Sequence, residues 1–302
     1  MIEYWDRVSQ QICQEQVFGE SAIRFLYGEK WLSRMFGRPV AQLAARIPWI
    51  SATYAHFQKQ PSSQKKILPF IQKYGVDPVE FAASVEDFQS FNDFFIRKLK
   101  PSARPLAPGA DVAVMPADAR YLFYQDIDLA DGFIVKGQKF SLPALLQDKK
   151  LADEYRGGTL IIARLCPSDY HRFHFPCACI PGETKLINGL LFSVNPLALK
   201  RNVKIFTQNR RTLCLLETGR FGKIAYMEIG ATNVGSIHET YIPFQSVSKG
   251  AEKGYFSFGG SALILLFQKG MLTLDSDLTA HPHREIRCLL GQSLGTAGRT
   301  QN

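Results

Sequence analysis

The feature that most constrains this chain is a change of hydrophobic pattern near residue 110. Before it, QQICQEQVF, SAIRFLYGEKWLSRMF, VAQLAARI and QKKILPFIQKYG space apolar residues three and four apart between the breakers Gly19, Gly37, Pro39, Pro61 and Gly75, which predicts helices. After it, DVAVMP, GFIVKG, GTLIIARL, TLCLLET, KIAYMEIG, GYFSF and SALILLF are short, rich in β-branched and aromatic residues and bounded by Gly or Pro, the pattern of strands in a mostly antiparallel sheet system. The expected fold class is α+β, with amphipathic helices over 1–100, a β-rich body over 101–290 and a flexible polar tail over 291–302. A chain of 302 residues can bury a full core, and 46% hydrophobic against 21% charged residues excludes wholesale disorder.

Charge narrows the partners. Lys and Arg total 36 against 27 Asp and Glu, a net +9, which favours an anionic membrane surface, a nucleic acid or an acidic substrate. Trp5, Trp31 and Trp49 all fall in the first 49 residues, among Arg24, Lys30, Arg34, Arg38 and Arg46. Indole rings prefer the headgroup boundary and basic residues attract anionic lipid, so these helices suit a bilayer surface; packing of their apolar faces on the β-rich body is the alternative. The start MIEYWDRVSQQICQEQ lacks the basic and apolar regions of a secretory signal, and SALILLF falls well short of the roughly 20 residues of a membrane span. A chain like this would meet a membrane from its surface. The six cysteines form no CxxC pair and are too sparse for a disulfide scaffold, which fits a reducing compartment.

Two of the six histidines, His171 and His174, lie in the dense segment RLCPSDYHRFHFPCAC. Three apart on a strand, they point to opposite faces, so they share one site only if the backbone turns. Cys177 and Cys179 complete an H-x-x-H-x-x-C-x-C run, but this spacing matches none of the common zinc patterns, and no metal is expected. Asp118, in VMPADAR, follows a predicted strand, and Ser261 follows the pair Gly259-Gly260 and opens another. A carboxylate, an imidazole and a hydroxyl are the ingredients of an activated serine nucleophile. The glycines leave the Gly260 carbonyl unshielded and permit unusual backbone angles; a plain β-bulge or tight turn is the other reading.

Taken together, FNDFFIRKLKPSARP (91–105), PADA (116–119), YHRFHFP (170–176), LFSVNP (191–196), IGATNVGSI (229–237) and KGAEKGYFSFGGS (249–261) resemble the phosphatidylserine decarboxylase family, over about residues 85–268. The resemblance implies N-terminal helices at a membrane and a β-rich catalytic body. It also implies self-cleavage between Gly260 and Ser261: the hydroxyl of Ser261 attacks the preceding carbonyl, and the resulting ester eliminates to dehydroalanine, which hydrolyses to a pyruvoyl group. The cofactor is then this covalent pyruvoyl, and the products are a β chain, 1–260, and an α chain, 261–302. Matched position by position, Asp118, His174 and Ser261 are the processing triad. His171 is the family's other histidine, with a part in decarboxylation or in binding the substrate carboxylate. The pyruvoyl would condense with the amine of phosphatidylserine to a Schiff base and accept the electrons released with carbon dioxide, giving phosphatidylethanolamine.

The implied partners are phosphatidylserine, an anionic membrane surface and the two chains of one precursor. A homodimer is allowed and no nucleic acid is expected. The implied location is peripheral, on the cytoplasmic face of the cell membrane. Ala119 replaces the family's usual Gly, and Ala262 stands where Thr is common. The first bears on the turn that aims Asp118, the second on processing speed. A non-processing membrane-binding relative, an uncleaved Ser-His-Asp hydrolase and a pyruvoyl-dependent decarboxylase of a soluble amino acid are the rival readings.

Overall fold

The computed structural model describes residues 2–16, 25, 26, 31, 35, 37, 40, 45, 48–127, 141–199, 202, 204–231, 237–259, 261–281 and 284–298. In chain order the described strands are β1 (Glu3–Asp6), β2 (Gln11–Gln14), β3 (Val112–Val114), β4 (Ala119–Tyr124), β5 (Thr159–Leu165), β6 (Arg172–His174), β7 (Ile180–Pro181) and β8 (Lys185–Ile187). They continue as β9 (Arg211–Glu217), β10 (Lys223–Gly230), β11 (Ile237–Glu239), β12 (Glu252–Phe256), β13 (Ser261–Phe267), β14 (Leu272–Leu274), β15 (Ile286–Cys288) and β16 (Ser293–Ala297). The helices that matter for the site are α1 (Pro48–Lys59), α2 (Ile67–Tyr74) and α3 (Phe91–Phe95).

The chain is β-rich. One mixed sheet runs β2-β1-β15-β4-β5-β13-β10-β9-β7, with β8 also on β9, and two three-stranded sheets, β11-β12-β6 and β14-β16-β3, complete it. Strands β5 and β13, expected from GTLIIARL and SALILLF, are buried at every position and pair antiparallel from Ser261↔Leu165 to Phe267↔Thr159. Their largely apolar runs suit a strand covered on both faces, where period-two alternation has no solvent side to mark. TLCLLET and KIAYMEIG become β9 and β10, DVAVMP contains β3, and GYFSF overlaps β12, while GFIVKG lies outside the described residues.

Around α2 and α3 a second core forms. Ile67, Phe70 and Ile71 bury the inner face of α2, as their spacing in QKKILPFIQKYG predicts, and Gly75 ends the helix at φ 62°, its N–H on the Ile71 carbonyl. Ser90 caps α3 by accepting from the Asp93 N–H. Phe94 and Phe95 are fully buried, and rings of Phe70, Phe81, Phe88, Phe91 and Phe94 meet at centroid distances of 5.2–6.1 Å. Phe258 of the β-rich body belongs to this cluster, against Phe91 (5.3 Å) and Phe95 (4.9 Å).

Two expectations fail. QQICQEQVF was expected as helix, but Gln11–Gln14 is a strand. The hairpin β1–β2 adds to the main sheet by the parallel pair Trp5↔Ile286 and Asp6↔Arg287. The Arg287 guanidinium lies 2.7 Å from Asp6, and Glu15 ends the hairpin beside Arg164, so pairing partners distant in sequence outweigh a local helical spacing. The tail expected to be flexible from 291 is ordered as β16, where Gly295 at φ 155° lies so close to Thr273 that a Cβ would fall 2.2 Å from its carbonyl oxygen. Most of SAIRFLYGEKWLSRMF and VAQLAARI lies outside the described residues.

Candidate active site

Asp118 lies at the entry to β4 and is 4% exposed. Arg104 grips it from one side, with Nε 3.0 Å from Oδ1 and Nη2 2.7 Å from Oδ2, and the Leu290 N–H donates to Oδ1 at 2.8 Å. The same guanidinium also binds Glu80, at 2.8 and 2.9 Å. Burial alone would lower the Arg104 pKa, but its hydrogen bonds to these two carboxylates hold it above the usual value. Ala119 starts β4 opposite Cys288 and is not among the described residues with positive φ, so the alanine in place of glycine costs no strain.

His174 closes β6, and its backbone N–H donates to the Pro116 carbonyl at 2.8 Å, which ties this strand to the Asp118 loop. Its Nδ1 lies 3.0 Å from the Gly250 carbonyl oxygen, an acceptor only, so Nδ1 carries the hydrogen and donates. Nε2 then bears the lone pair, and it is buried without a hydrogen-bond partner. Burial lowers the pKa of this imidazole; the Gly250 carbonyl, Glu252 and Asp118 pull the other way without restoring it.

His171 precedes β6 and is fully buried, its ring 3.9 Å from that of Phe95. Here too a backbone carbonyl, that of Asp169 at 3.0 Å, takes the Nδ1 hydrogen and Nε2 is left without a partner. Burial pushes its pKa down to about 3; the Asp169 carbonyl opposes this and the Arg97 charge adds to it. His171 is therefore neutral at physiological pH.

Ser261 opens β13 between Leu165 of β5 and Gly230 of β10. It is fully buried, and its Oγ has no hydrogen-bond partner among the described residues. Gly259 takes φ 147°, a value that disfavours any side chain; Gly260 lies outside the described residues. Ala262 is fully buried in β13. The register across β5 brings Ser261 opposite Leu165, whose chain continues through Cys166 and Asp169 to the two histidines. Asp118 and His174 are brought together through Pro116. Among the described residues no hydrogen bond joins Ser261 to either imidazole, or Asp118 to the His174 ring.

A buried hydroxyl and two buried imidazole nitrogens, each without a partner among the described residues, stand out because buried polar atoms are normally satisfied. A neutral Nε2 can take a proton from a hydroxyl, and a hydroxyl so relieved is a nucleophile. The sequence profile of the phosphatidylserine decarboxylase family matches residues 91–296. The chain belongs to that family. It is 45% identical to a phosphatidylserine decarboxylase proenzyme of Chlamydia pneumoniae, covering 99% of this chain and 98% of that protein. It is 46% identical to that of Chlamydia caviae (99% and 99%) and 47% identical to that of Chlamydia muridarum (97% and 96%).

Several residues around these side chains escaped sequence reasoning. Arg104 and the buried Arg97 both lie in FNDFFIRKLKPSARP, a segment marked only as a motif. Arg97 donates to the Ser168 and Asp169 carbonyls at 3.3 Å, and burial pushes its pKa down to about 10. Asp169 anchors the turn before the histidines, 2.5 Å from Arg120 and accepting from the Cys166 N–H at 2.7 Å. Cys177 is buried, its thiol pushed up to about 12 by desolvation, and no group of three His, Cys, Asp or Glu that could hold a metal occurs among the described residues.

Proposed function

We propose that the chain is a phosphatidylserine decarboxylase proenzyme that cuts itself between Gly260 and Ser261 and then converts phosphatidylserine to phosphatidylethanolamine and carbon dioxide. The observation that carries the reading is the buried, unpartnered Ser261 Oγ at the head of a central strand, just after a glycine in a conformation that disfavours side chains.

The processing step suits the residues present. Ser261 Oγ forms a bond to the Gly260 carbonyl carbon as the Gly260–Ser261 C–N bond breaks. The hydroxyl proton passes to His174 Nε2 and then to the departing nitrogen. Asp118 favours the charged imidazole through its negative charge, and Arg104 keeps that carboxylate fixed. Loss of the Cα hydrogen and of the Gly260 carboxylate from the ester would give dehydroalanine, whose imine form takes up water and releases ammonia to leave a pyruvoyl at residue 261, and this group would supply the electron sink for decarboxylation of an amine substrate. Its place is a dry one, as Ser261, Ala262 and Leu263 are fully buried, and a carboxylate departs more readily where water does not solvate it.

His171, uncharged and presenting a lone pair at Nε2, suits accepting a hydrogen bond or a proton from the substrate amine better than pairing with its carboxylate. Membrane docking belongs to the N-terminal region: Phe25, Trp31, Met35 and Phe57 are exposed, and no described helix is long and apolar enough to cross a bilayer.

Intact-mass measurement on purified protein tests the reading. Two fragments divided before residue 261 are expected, the smaller one blocked at its amino terminus and lighter than its encoded mass by one ammonia, with release of carbon dioxide from phosphatidylserine. Ser261→Ala leaves one folded chain. An active preparation that remains one chain would overturn the proposal.

A further inference from the structure

Between α2, α3 and Phe258 lies an open pocket of about 350 Å³. Its floor is aromatic, made by Phe70, Phe91 and Phe258, and its rim carries Lys65, Lys66 and Lys73. The three lysines are exposed, and none has a carboxylate partner among the described residues; Lys66 only donates to Gln58 at 3.1 Å. The surrounding sequence has the same bias, for residues 30–76 contain eight Lys and Arg and no Asp or Glu. Uncompensated cations over an apolar floor fit an anionic amphiphile, with its charge at the rim and its apolar body inside.

The pocket is also tied to the chemistry by packed rings. Phe258 of the floor is three residues from Ser261, at most about 11 Å of chain. Phe258 packs on Phe95 at 4.9 Å, and Phe95 packs on His171 at 3.9 Å, so ring contacts run without a break from the pocket to the buried histidine. Phe91, in the floor, touches Phe258 at 5.3 Å.

We infer that this pocket holds the phosphodiester and glycerol part of the phospholipid substrate, the phosphate at Lys65, Lys66 and Lys73 and the glycerol with the first acyl carbons on Phe70, Phe91 and Phe258. The inference rests on the decarboxylase reading and adds where the lipid is gripped. Such a grip acts equally on ground state and transition state, so its loss appears in KM and not in kcat.

The test uses full-length, self-cleaved enzyme and the triple variant Lys65→Gln, Lys66→Gln, Lys73→Gln. With a short-chain phosphatidylserine kept below its micelle concentration, KM rises about tenfold while kcat and self-cleavage stay within about twofold, and Lys→Arg at the three positions restores KM. For an O-alkylserine, which keeps the free amine and carboxylate but lacks the phosphate, KM is unchanged. An unchanged KM on the soluble lipid, with a defect only on phosphatidylserine–phosphatidylcholine vesicles, would make the lysines a membrane-adsorbing patch and overturn the proposal. Inhibition by inorganic phosphate as tight as by a short-chain phosphatidylglycerol would overturn the lipid assignment. Failure of the wild-type protein to cleave or to decarboxylate would count against the functional reading instead.

Discussion

Arg104 holds Asp118 with two nitrogens, and the same guanidinium reaches Glu80, so the carboxylate of the proposed triad is tied to the loop that follows the helical cluster. Asp118 therefore answers to two cations, this fixed one and the imidazolium that would form at His174 during processing. Removing the first leaves a buried carboxylate unpaired. Arg104→Ala is expected to cost about 3–5 kcal/mol in denaturant unfolding and to slow self-cleavage, with Arg104→Lys in between because one ammonium replaces a two-pronged contact. Wild-type stability in Arg104→Ala would show that Asp118 finds its partners elsewhere.

Asp118→Asn and His174→Ala are expected to abolish cleavage, whereas His171→Ala is expected to permit it and depress decarboxylation. Both imidazoles give their Nδ1 hydrogen to a backbone carbonyl and keep Nε2 as the free base, but the charge of Asp118 favours protonation at His174, not at His171. Time courses of chain cleavage on denaturing gels decide. Equal cleavage in His174→Ala and wild type would remove His174 from the triad.

Burial of neutral His171 ties stability to pH. In the unfolded chain its pKa is about 6.5, and in the folded chain about 3, so below pH 6.5 only the unfolded state takes up the proton and stability falls as pH falls towards 3. Between pH 7 and pH 5 this one group accounts for about 2 kcal/mol. Denaturant unfolding of Ser261→Ala, which stays uncut, is compared with the double variant carrying His171→Asn. The double variant should show the shallower pH dependence, and parallel profiles would mean that folding does not lower the pKa of this imidazole.

What the sequence could and could not reveal follows from the range of the interactions. The place of Ser261 at the head of a strand was legible because Gly259-Gly260 precedes an apolar run, a local pattern, and β5, β9, β10 and β13 were legible for the same reason. The hairpin was not: QICQ is polar, and what makes it a strand is Ile286 and Arg287 at the far end of the chain. The histidine tautomers were equally hidden, since they are set by carbonyls of Gly250 and Asp169, and a backbone acceptor leaves no trace in residue identity. Arg104 stood in a recognised motif, but its two carboxylates are brought to it only by the fold.

The two products of cleavage are expected to stay together. In the intact chain β13 lies between β5 and β10, β15 between β1 and β4, and β16 between β14 and β3, so the piece after Gly260 is built into two sheets. Native size-exclusion should give one species and denaturing electrophoresis two. Separation without denaturant would mean that cleavage loosens β13.

The hairpin is a clamp on that arrangement. The Glu15 side chain is only 5% exposed and bonds Arg164, which also pairs with Glu285 at 2.7 Å, while Arg120 lies 3.8 Å from Glu15. Glu15→Ala leaves two buried guanidiniums short of a counter-charge and is expected to cost about 3 kcal/mol, read from the urea midpoint at constant slope. An unchanged midpoint would show the hairpin to be dispensable.

That clamp decides how membrane binding should be tested, because deleting residues 1–57 would remove Glu15 together with any lipid-facing helix. Single-tryptophan variants avoid this. Trp5 pairs with Ile286 and packs on His281 at 4.3 Å, so it belongs to the sheet, whereas Trp31 is 65% exposed. If the N-terminal region enters the headgroup layer, Trp5→Phe/Trp49→Phe, which retains Trp31, shifts its emission to the blue on anionic vesicles, and Trp31→Phe/Trp49→Phe, which retains Trp5, does not. Each Lys or Arg near the surface adds about 1 kcal/mol, screened over a Debye length of about 8 Å at physiological salt, so added salt should weaken binding while the apolar contribution keeps it measurable. A spectrum of the Trp31-only protein that ignores lipid would place these residues away from the bilayer, and a shift in the Trp5-only protein would mean that docking opens the hairpin.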